Sequence, residues 1–435
     1  MSQTTRRGFM QQSGTALAGA AALAWGAPSR AAGANERVRV ALMGCGGRAQ
    51  TLAEVFSQNP QAELVGLVDP HQVRLAAFAD KYPTAQTADD VRRVLDDDSI
   101  DAVIIATPVH WHTPAAVLAC DAGKHVYVEK PCSHNVREGR LLVEASQRNQ
   151  RFVQQGTQVR STSTIREGVR MLHEGVIGDV LVARAWNIQL RPGAGAGDPV
   201  PPPAVLDYDL WLGPAPHVPY HTNTFSGWNW LRHFGTGEIG NDGIHDIEYA
   251  RWGLGVETHP VLISGVGGRF LEDNGAEFPD TQQVTFEYAP AGPSEKRKLL
   301  IYEERLWSTN YPYNCDSGVE FYGTNGQMFL SRRGKLQVWL GRNEKHPVDV
   351  ELKPQDTDAH VADFIDAIRN NRQPHANAEV AHLTTSLCHL GNIAVRLGRA
   401  LRFDPQTERF QGDAEADRLL SRTYREDHWA APKGV

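Results

Sequence analysis

The sequence predicts an α/β fold: an N-terminal parallel sheet with helices, followed by an α+β domain with a large open, mostly antiparallel sheet. From about residue 38 to 155, short apolar runs alternate with helical patterns, which is typical of repeated β-α-β units. From 261 to 340 the apolar residues recur with a period of two, as in antiparallel strands. The 435 residues are enough for two domains with separate cores.

In the first half, five apolar runs predict buried strands. They are Val38 to Leu42, Leu64 to Val68, Ile100 to Ala106, Val126 to Val128, and Phe152 with Val153. Leu52 and Phe56 share one helix face between the first two runs. Thr113 as N-cap, with Pro114 at the first helical position, predicts another helix. This order implies right-handed crossovers between parallel strands, in a domain from residue 35 to 155.

The second domain, from 156 to 435, is predicted from alternating runs and later helical faces. The strands are Gln283 to Tyr288, Leu299 to Glu303, Val319 to Tyr322 and Leu336 to Leu340. Helical spacing predicts helices around Ile165 to Leu172, Val361 to Ile368 and Leu383 to Ala394. The stretch from Arg191 to Pro203 is rich in Gly and Pro and predicts a loop.

The sequence of residues 1–34 predicts a targeting segment. Thr5-Arg6-Arg7-Gly8-Phe9-Met10 resembles a twin-arginine export signal, an Ala/Gly-rich apolar stretch follows it, and Ala32-Gly33-Ala34 resembles a cleavage site. The apolar stretch is too short for a stable membrane anchor. We therefore expect the twin-arginine translocase to export the folded protein to a periplasmic or other extracytoplasmic location.

Charge and cysteine content exclude several classes of protein. The formal net charge of -7 argues against nucleic acid as a partner. The five cysteines form no Cys-x-x-Cys pair, which argues against a disulfide framework or a structural zinc site. His110 and His112 form an H-x-H pair without a third ligand at short spacing, so we expect no metal.

A glycine-rich loop follows the first predicted strand. Gly44-Cys45-Gly46-Gly47-Arg48-Ala49 has the G-x-G-x-x-A pattern of dinucleotide-binding domains. Gly44 permits the tight turn, Gly46 lets the backbone approach a pyrophosphate, and Ala49 lets helix and strand pack closely. The pyrophosphate would lie at the helix N-terminus, where free N–H groups favour anions.

The second predicted strand ends in Asp69. A carboxylate there accepts hydrogen bonds from a ribose 2′-hydroxyl and repels a 2′-phosphate, which favours NAD over NADP. Arg48 keeps NADP open, because an arginine can bind a phosphate.

Glu129-Lys130-Pro131 follows the predicted strand that ends at Val128. In an open α/β sheet, ligands bind outside the carboxyl ends of the strands. A lysine that is partly desolvated there has a lowered pKa, which suits proton transfer.

Together these motifs resemble the Gfo/Idh/MocA family, which includes glucose-fructose oxidoreductase and inositol dehydrogenase. The resemblance is carried by Val38 to Ala49, Asp69, Ala106-Thr107-Pro108 with His112, Gly123 to Val126, Glu129-Lys130-Pro131, and Gly237 to Glu248. It implies a Rossmann domain, then an α/β domain whose open sheet carries the substrate cleft and often an interface of a homo-oligomer, here a dimer or tetramer.

The resemblance also implies roles for individual residues. Glu129 would hold the nicotinamide ribose, and Lys130 would be catalytic and touch the reacting oxygen. Thr107, Pro108 and His112 would line the cofactor cleft.

Other positions follow or depart from the family pattern. Pro131 would follow a cis bond, whereas Val109 stands where the family often has Asn. Gln158 and Arg160 lie where members often place polar groups near the nicotinamide or substrate.

The second family motif departs further. His245 is present as an expected catalytic residue, but the usual acid four residues earlier is Asn241. Asp242 is one residue off, and neighbours on a helix point about 100° apart, so it can replace the acid only if the backbone shifts. We expect Asn241 or Asp242 to contact substrate.

Aromatic residues suggest the chemical class of the substrate. Aromatic faces stack on sugar rings, and neighbouring polar groups bond hydroxyls. The candidates are Tyr208, Trp211, Tyr220, Trp228, Asn229 and Trp230. We expect Trp228 and Trp230 in particular to contact a small-molecule carbohydrate.

These observations predict an NAD(P)-dependent oxidoreductase that acts on a hydroxyl of a sugar or cyclic polyol. Because an exported enzyme has little free NAD around it, the cofactor is expected to be tightly bound and internally recycled. One alternative is an NAD-dependent glycosidase or lyase, which works by transient oxidation and elimination. A second alternative is a catalytically idle sugar-binding protein.

Overall fold

The computed structural model describes residues 37–434, apart from 192, 291, 293–295 and 343. The predicted export segment at residues 1–34 lies outside the described residues. These described residues belong to one compact unit.

The first half of that unit contains a six-stranded parallel sheet. Its strands are β1 (Val38–Met43), β2 (Ala62–Val68), β3 (Gln86–Ala88), β4 (Ala102–Ile105), β5 (His125–Val128) and β6 (Val153–Gln155). The order is β3-β2-β1-β4-β5-β6. This order reverses between β1 and β4, and such a reversal opens a crevice for ligands at the carboxyl ends of the strands.

Helices cover the parallel sheet. They are α1 (Gly47–Gln58), α2 (Gln72–Lys81), α3 (Arg92–Leu95), α4 (His112–Asp121) and α5 (Val136–Asn149). Helix α4 begins at His112, one residue before the N-cap predicted at Thr113. The Thr113 hydroxyl donates to the Cys132 carbonyl oxygen at 2.9 Å, so it is not available as a cap.

The second half contains a ten-stranded sheet. Its strands are β7 (Val180–Ile188), β8 (Leu262–Gly268), β9 (Thr281–Tyr288), β10 (Lys298–Arg305), β11 (Ser317–Gly323), β12 (Gly326–Ser331), β13 (Lys335–Leu340), β14 (Glu344–His346), β15 (Leu401–Asp404) and β16 (Arg409–Phe410). The order is β14-β13-β12-β11-β7-β10-β9-β8-β15-β16. Only β7 and β10 pair in parallel, so the predicted fold class is confirmed.

The second half also supplies seven α-helices among the described residues. They are α6 (Ser163–His173), α7 (Tyr208–Leu212), α8 (Thr224–Gly227), α9 (Ile244–Leu254), α10 (Thr357–Arg369), α11 (Ala378–Leu397) and α12 (Ala414–Arg418). A π-helical turn, Ile239–Gly243, immediately precedes α9. Helices α9 and α11 bury their apolar faces against one face of the large sheet, around Phe286 and Tyr302.

Two of these helices also complete the core of the first sheet. Phe364 of α10 packs with Val40 and Phe56. Ala381 of α11 packs with Val126. The predicted domain boundary at 155/156 follows the order of the sheets along the chain, but the two halves share their apolar cores.

The described residues include no helix that is long and apolar enough to span a bilayer. All five cysteines are buried and free.

Phe286 should be among the residues on which stability depends most. It is fully buried between the large sheet and α11. We expect Phe286→Ala to lower the free energy of unfolding by about 3–5 kcal/mol, because the remaining side chains cannot fill the space that it leaves. Urea denaturation measures this loss. Val73→Ala, at a side chain of α2 that is 59% exposed, should change it by less than about 0.5 kcal/mol.

Candidate functional site

A cleft of about 330 Å³ lies at the carboxyl ends of the parallel strands. Most of the predicted site residues line it. They are Gly44, Gly46, Gly47, Arg48, Asp69, Thr107, Pro108, His112, Glu129, Lys130, Trp228 and Asn241. Residues far apart in the chain thus share one cleft.

The glycine-rich loop forms one wall and fits a dinucleotide pyrophosphate. Gly44 has φ +92°, and a Cβ there would lie 2.8 Å from the Ala106 carbonyl oxygen. Helix α1 begins at Gly47, and its N-cap, Gly46, provides no side-chain cap for the first N–H groups. A Cβ on either of these two glycines would meet open space. The free N–H groups and the open space form a cradle for an anion. Ala49 is buried in α1 and serves packing only.

Asp69 is fixed at the end of β2 by two main-chain groups. Its Oδ2 accepts a hydrogen bond from the Cys45 N–H at 2.7 Å, and its Oδ1 accepts one from the His71 N–H at 2.8 Å. Burial raises the pKa of this carboxyl. The arrangement orients a carboxyl group where a ribose would bind.

The sequence analysis missed Arg74 on α2. Arg74 lines the same cleft as Asp69, and its guanidinium lies 4.3 Å from the centre of the Phe225 ring. Arg74 follows Asp69 by only five residues, on the next helix. This closeness in sequence could have indicated that Arg74 lines the same cleft.

Glu129 pairs with Arg48 across the cleft. Arg48 Nε donates to Glu129 Oε1 at 2.8 Å, so in this structure the guanidinium proposed for a 2′-phosphate is already engaged. Burial opposes ionisation of Glu129, but the charge of Arg48 outweighs it and lowers the pKa of the carboxyl. A Cβ at Gly156 would lie 2.7 Å from Glu129 Oε1, so only glycine leaves room for this carboxylate.

His112 joins the two loops that flank the lysine. Its Nδ1 lies 2.7 Å from the Pro131 carbonyl oxygen, and its Nε2 lies 2.8 Å from that of Thr107. Burial lowers the pKa of His112, so the neutral ring donates to one carbonyl at a time. The Lys130–Pro131 peptide bond is cis, as the family resemblance implied.

Lys130 projects from the end of β5 towards the π-helical turn. Its Nζ donates to the Asn241 side-chain oxygen at 3.0 Å and also to the Asn241 main-chain oxygen. Burial lowers the pKa of the ammonium, although the nearby carboxylates of Glu129 and Asp242 oppose this shift. At a given pH, the neutral amine is therefore more populated in this site than it would be in water.

Asn241 connects Lys130 to an acid that the sequence analysis missed. The Asn241 amide donates to Glu238 Oε2 at 2.9 Å, and Arg191 pairs with Glu238 Oε1 at 2.9 Å. Burial, aided by the charge of Asp242, raises the pKa of Glu238. Glu238 stands three residues before Asn241, so the motif did contain an acid, at a different spacing.

Asp242 does not take the position of the missing acid. Its Oδ2 accepts hydrogen bonds from Asn187 at 2.9 Å and from Arg332 at 2.8 Å, and a further one from Gln189. Burial opposes ionisation, but Arg332 outweighs it and holds the pKa of Asp242 well below its usual range. Asp242 is therefore a fixed anion beside the large sheet, and Asn241 is the residue that lines the cleft.

His245 is buried at the start of α9. Its Nδ1 has no hydrogen-bond partner among the described residues. Burial, with the charges of Arg332 and Lys130, holds the pKa of His245 well below its usual range. The ring is neutral and does not line the cleft, so its predicted catalytic contact stays a prediction.

Three aromatic residues between positions 205 and 230 lie at the cofactor cleft. We call residues 205–230 the covering segment. Its Asp207 N–H donates to the Pro70 carbonyl oxygen at 3.0 Å, and its Val205 carbonyl oxygen accepts from the Gln72 N–H at 2.9 Å. These two hydrogen bonds dock the segment beside Asp69.

Aromatic rings of the covering segment line the cleft from this position. They are Trp211, Phe225 and Trp228. Trp111 and Trp429 add two further rings. Trp230 instead packs with Phe278 and Leu306 and is 8% exposed. The expected sugar contact of Trp230 is corrected to core packing.

Gln158 and Arg160 do not line the cleft either. Arg160 Nε donates to Glu248 Oε1 at 2.6 Å, inside the protein. The Gln158 side chain accepts from Gln355 at 2.7 Å and is 2% exposed. The expected substrate contacts are corrected, because both polar groups are already engaged in the core.

The H-x-H pair contributes no metal ligand set. His110 Nε2 contacts the Trp211 carbonyl oxygen at 2.9 Å, and both nitrogens of His112 face carbonyl oxygens.

One other group of three candidate ligands occurs in the described part of the chain. It comprises His259, His382 and Glu408, with ligand atoms within 4.8 Å of one another. Arg140 also donates to Glu408 and supplies the positive charge that a metal ion would supply there.

Comparisons with known proteins agree with this architecture. Residues 38–157 match the model of the oxidoreductase family with an NAD-binding Rossmann fold, GFO_IDH_MocA. Residues 183–293 and 348–430 match the C-terminal alpha/beta domain of the same oxidoreductase family.

Similar proteins include sugar and polyol enzymes. The chain is 24% identical over 348 residues to scyllo-inositol 2-dehydrogenase (NAD(+)) of Bacillus subtilis (strain 168), covering 78% of this chain and 89% of that protein. It is 34% identical over 160 residues to a glycosyl hydrolase family 109 protein of Shewanella sp. (strain W3-18-1), but that match spans only 35% of each chain.

Solved structures share the fold. Levoglucosan dehydrogenase, in complex with NADH and levoglucosan, superposes with a TM-score of 0.66 at 19% identity, covering 84% of this chain and 99% of its own. The aldose-aldose oxidoreductase of Caulobacter crescentus superposes with a TM-score of 0.65 at 19% identity, covering 85% and 100%. With the glycine-rich loop, Asp69 and Lys130 around one cleft, these matches show that the chain belongs to the Gfo/Idh/MocA oxidoreductase family and carries an NAD-binding Rossmann domain.

Proposed function

We propose that this protein oxidises a hydroxyl group of a sugar or cyclic polyol, with a tightly held NAD that is recycled by a second substrate. The observation that carries the proposal is the placement of Lys130 beside the dinucleotide cradle, with its Nζ fixed by Asn241. The similarity to an inositol dehydrogenase supports the substrate class.

The residues of the cleft suit proton transfer from a hydroxyl. When bound, NAD supplies the hydride acceptor. Lys130 takes the hydroxyl proton at Nζ, and its lowered pKa makes the neutral amine available closer to physiological pH. Asn241 accepts from Lys130 and so orients the nitrogen, while Glu238 holds the amide of Asn241 in place.

The covering segment supports a tightly held cofactor. The Phe225 ring lies against His71 in a tilted arrangement with ring centres 5.6 Å apart, and the Arg74 guanidinium lies over its face. The second half of the chain thus covers the cleft beside Asp69. We expect a bound dinucleotide to leave faster when this segment moves away from the cleft. From the twin-arginine pattern of residues 1–34, we also propose that this segment directs export. Retention of the cofactor matters most for an exported enzyme.

A second candidate is an NAD-dependent glycosidase. The partial similarity to glycosyl hydrolase family 109 proteins favours it. The same Lys130 would assist oxidation of a sugar hydroxyl to a ketone, which acidifies the neighbouring C–H. Loss of that proton would expel the aglycone, water would add across the resulting double bond, and the ketone would then be reduced again. This cycle also returns the cofactor to its starting state.

The predicted homo-oligomer would use an apolar patch at one corner of the large sheet. Val266, Phe270 and Trp307 are 72%, 70% and 40% exposed. Trp307 donates to the Thr281 hydroxyl at 2.8 Å, and Thr281 pairs with Gly268 beside Phe270. A contiguous exposed apolar patch of this kind marks an interaction surface.

Lys130→Met should lower turnover by about 10²- to 10⁴-fold, because the proton acceptor is removed. Bound nucleotide should be unchanged. Steady-state rates on the best substrate measure the loss, with the exposed Lys81→Met variant as control. In the unaltered protein, the rate of oxidation should rise with pH with a midpoint below about 10.4, since only the neutral amine accepts a proton. Turnover by Lys130→Met equal to that of the control would remove Lys130 from the mechanism.

Phe225→Ala should speed NAD loss about tenfold, because it removes the ring that packs against Arg74 and covers this part of the cleft. The measurement is the nucleotide retained per chain at intervals of dialysis, after heat release and chromatography. Phe270→Ala removes an equally large ring that is 70% exposed elsewhere and is the matched control. Equal retention by the two variants would show that the segment does not hold the cofactor.

The two proposed activities differ in their products. We expect the purified protein, without added NAD, to oxidise one member of a sugar and cyclitol panel and reduce a second. Product analysis by chromatography detects a ketose or lactone. Release of nitrophenol from nitrophenyl glycosides with no net oxidation would favour the glycosidase instead. If the protein neither retains nucleotide nor binds added NAD, both activities are excluded.

A further inference from the structure

A second cavity, of about 850 Å³, shares no lining residue with the cofactor cleft. Several segments surround it: residues 134–135, Pro216, residues 232–236, the chain from the end of β8 to 269, residues 277–279, helix α11, and residues 418–423. The family assignment and the proposed reaction give this cavity no role.

Five arginines line the cavity, and we call it the arginine cavity. They are Arg232, Arg269, Arg396, Arg418 and Arg422. Glu277 is the only carboxylate among its lining residues in the described part of the chain. The whole chain has a formal net charge of -7, so this is a local concentration of positive charge.

Carboxylates behind the wall compensate only part of that charge. Arg422 Nη2 pairs with Glu138 at 2.7 Å, and Arg269 Nε lies 3.8 Å from Asp280. Arg396 and Arg418 are exposed and form no ion pair with any described residue. Positive charge therefore exceeds negative charge at the cavity surface.

Buried donors in the wall also lack partners. The Arg422 side chain is 10% exposed, and its Nε and Nη1 have no hydrogen-bond partner among the described residues. The same is true of Arg269 Nη1. Leaving a buried donor without a hydrogen bond is unfavourable, so these groups favour a ligand with acceptor oxygens.

Neutral polar groups complete the wall. Asn392 donates to the Thr236 carbonyl oxygen at 2.8 Å, which leaves Asn392 Oδ1 and Thr236 Oγ1 without described partners. An amide oxygen can only accept, so it requires a donor such as a ligand hydroxyl.

We propose that the arginine cavity is a second ligand site, for a sugar that carries a carboxylate or phosphate group. Arginine forks bind both oxyanions with paired hydrogen bonds, and Asn392 and Thr236 would bind hydroxyls. The site does not depend on NAD or on the proposed oxidation.

Titration calorimetry at low ionic strength tests this site. The probes are D-glucuronate, D-glucose 6-phosphate, inorganic phosphate and neutral D-glucose. We expect one or both anionic sugars to bind with a Kd of about 1 mM or tighter, more tightly than phosphate or glucose. Whichever of the two anionic sugars binds more tightly shows whether the site prefers a carboxylate or a phosphate. Added salt should weaken binding, because exposed charges are screened.

Charge reversal locates the site. Arg396→Glu/Arg418→Glu should weaken binding about tenfold or more. The control is Arg166→Glu, at an exposed arginine of α6 outside the cavity. Both variants should show the far-UV circular dichroism spectrum and the unfolding midpoint of the unaltered protein, which verifies the fold. If the double variant does not fold, Arg418→Gln replaces it.

Several outcomes would overturn the proposal. They are no binding of either anionic sugar, equal binding by the cavity variant and the control, and phosphate binding as tight as that of the sugars. The last would show a simple anion site without sugar recognition.

Discussion

The contact between Lys130 and Asn241 is the interaction on which the candidate site depends. It joins the end of β5, in the parallel sheet, to the π-helical turn before α9, in the second half of the chain. The lysine nitrogen is held at the cleft by hydrogen bonds to the neutral Asn241, not by a direct ion pair. Burial can then lower its pKa despite Glu129 and Asp242 nearby.

The two acidic residues near this contact have opposite pKa shifts, because their surroundings differ. Asp242 is held as an anion by Arg332, whereas Glu238 is buried with a raised pKa. A π-helical turn at these residues alters the helical register, a feature often found at functional sites. The turn does not bring Asp242 into the cleft; it leaves Asn241 there and places Asp242 against the large sheet.

The covering segment links the architecture to the proposed retention of the cofactor. A loop of the second half docks on the edge of the first sheet and places aromatic rings over the cleft. Residues expected to hold substrate, such as Trp228, thereby face the cofactor side. The two halves share apolar cores through α10 and α11, so this roof rests on a continuous framework.

The sequence by itself determined the parallel sheet, the glycine-rich loop, Asp69 and Lys130, because each depends on local periodicity or on a motif whose spacing has a direct physical meaning. It did not predict strand β7, the partners of Asp242 or the burial of Arg160 and Trp230. Those depend on which distant residues come together, and local patterns carry no record of that. Only the tertiary structure decided that Asn241 meets the lysine, and that five arginines from separate segments surround one cavity.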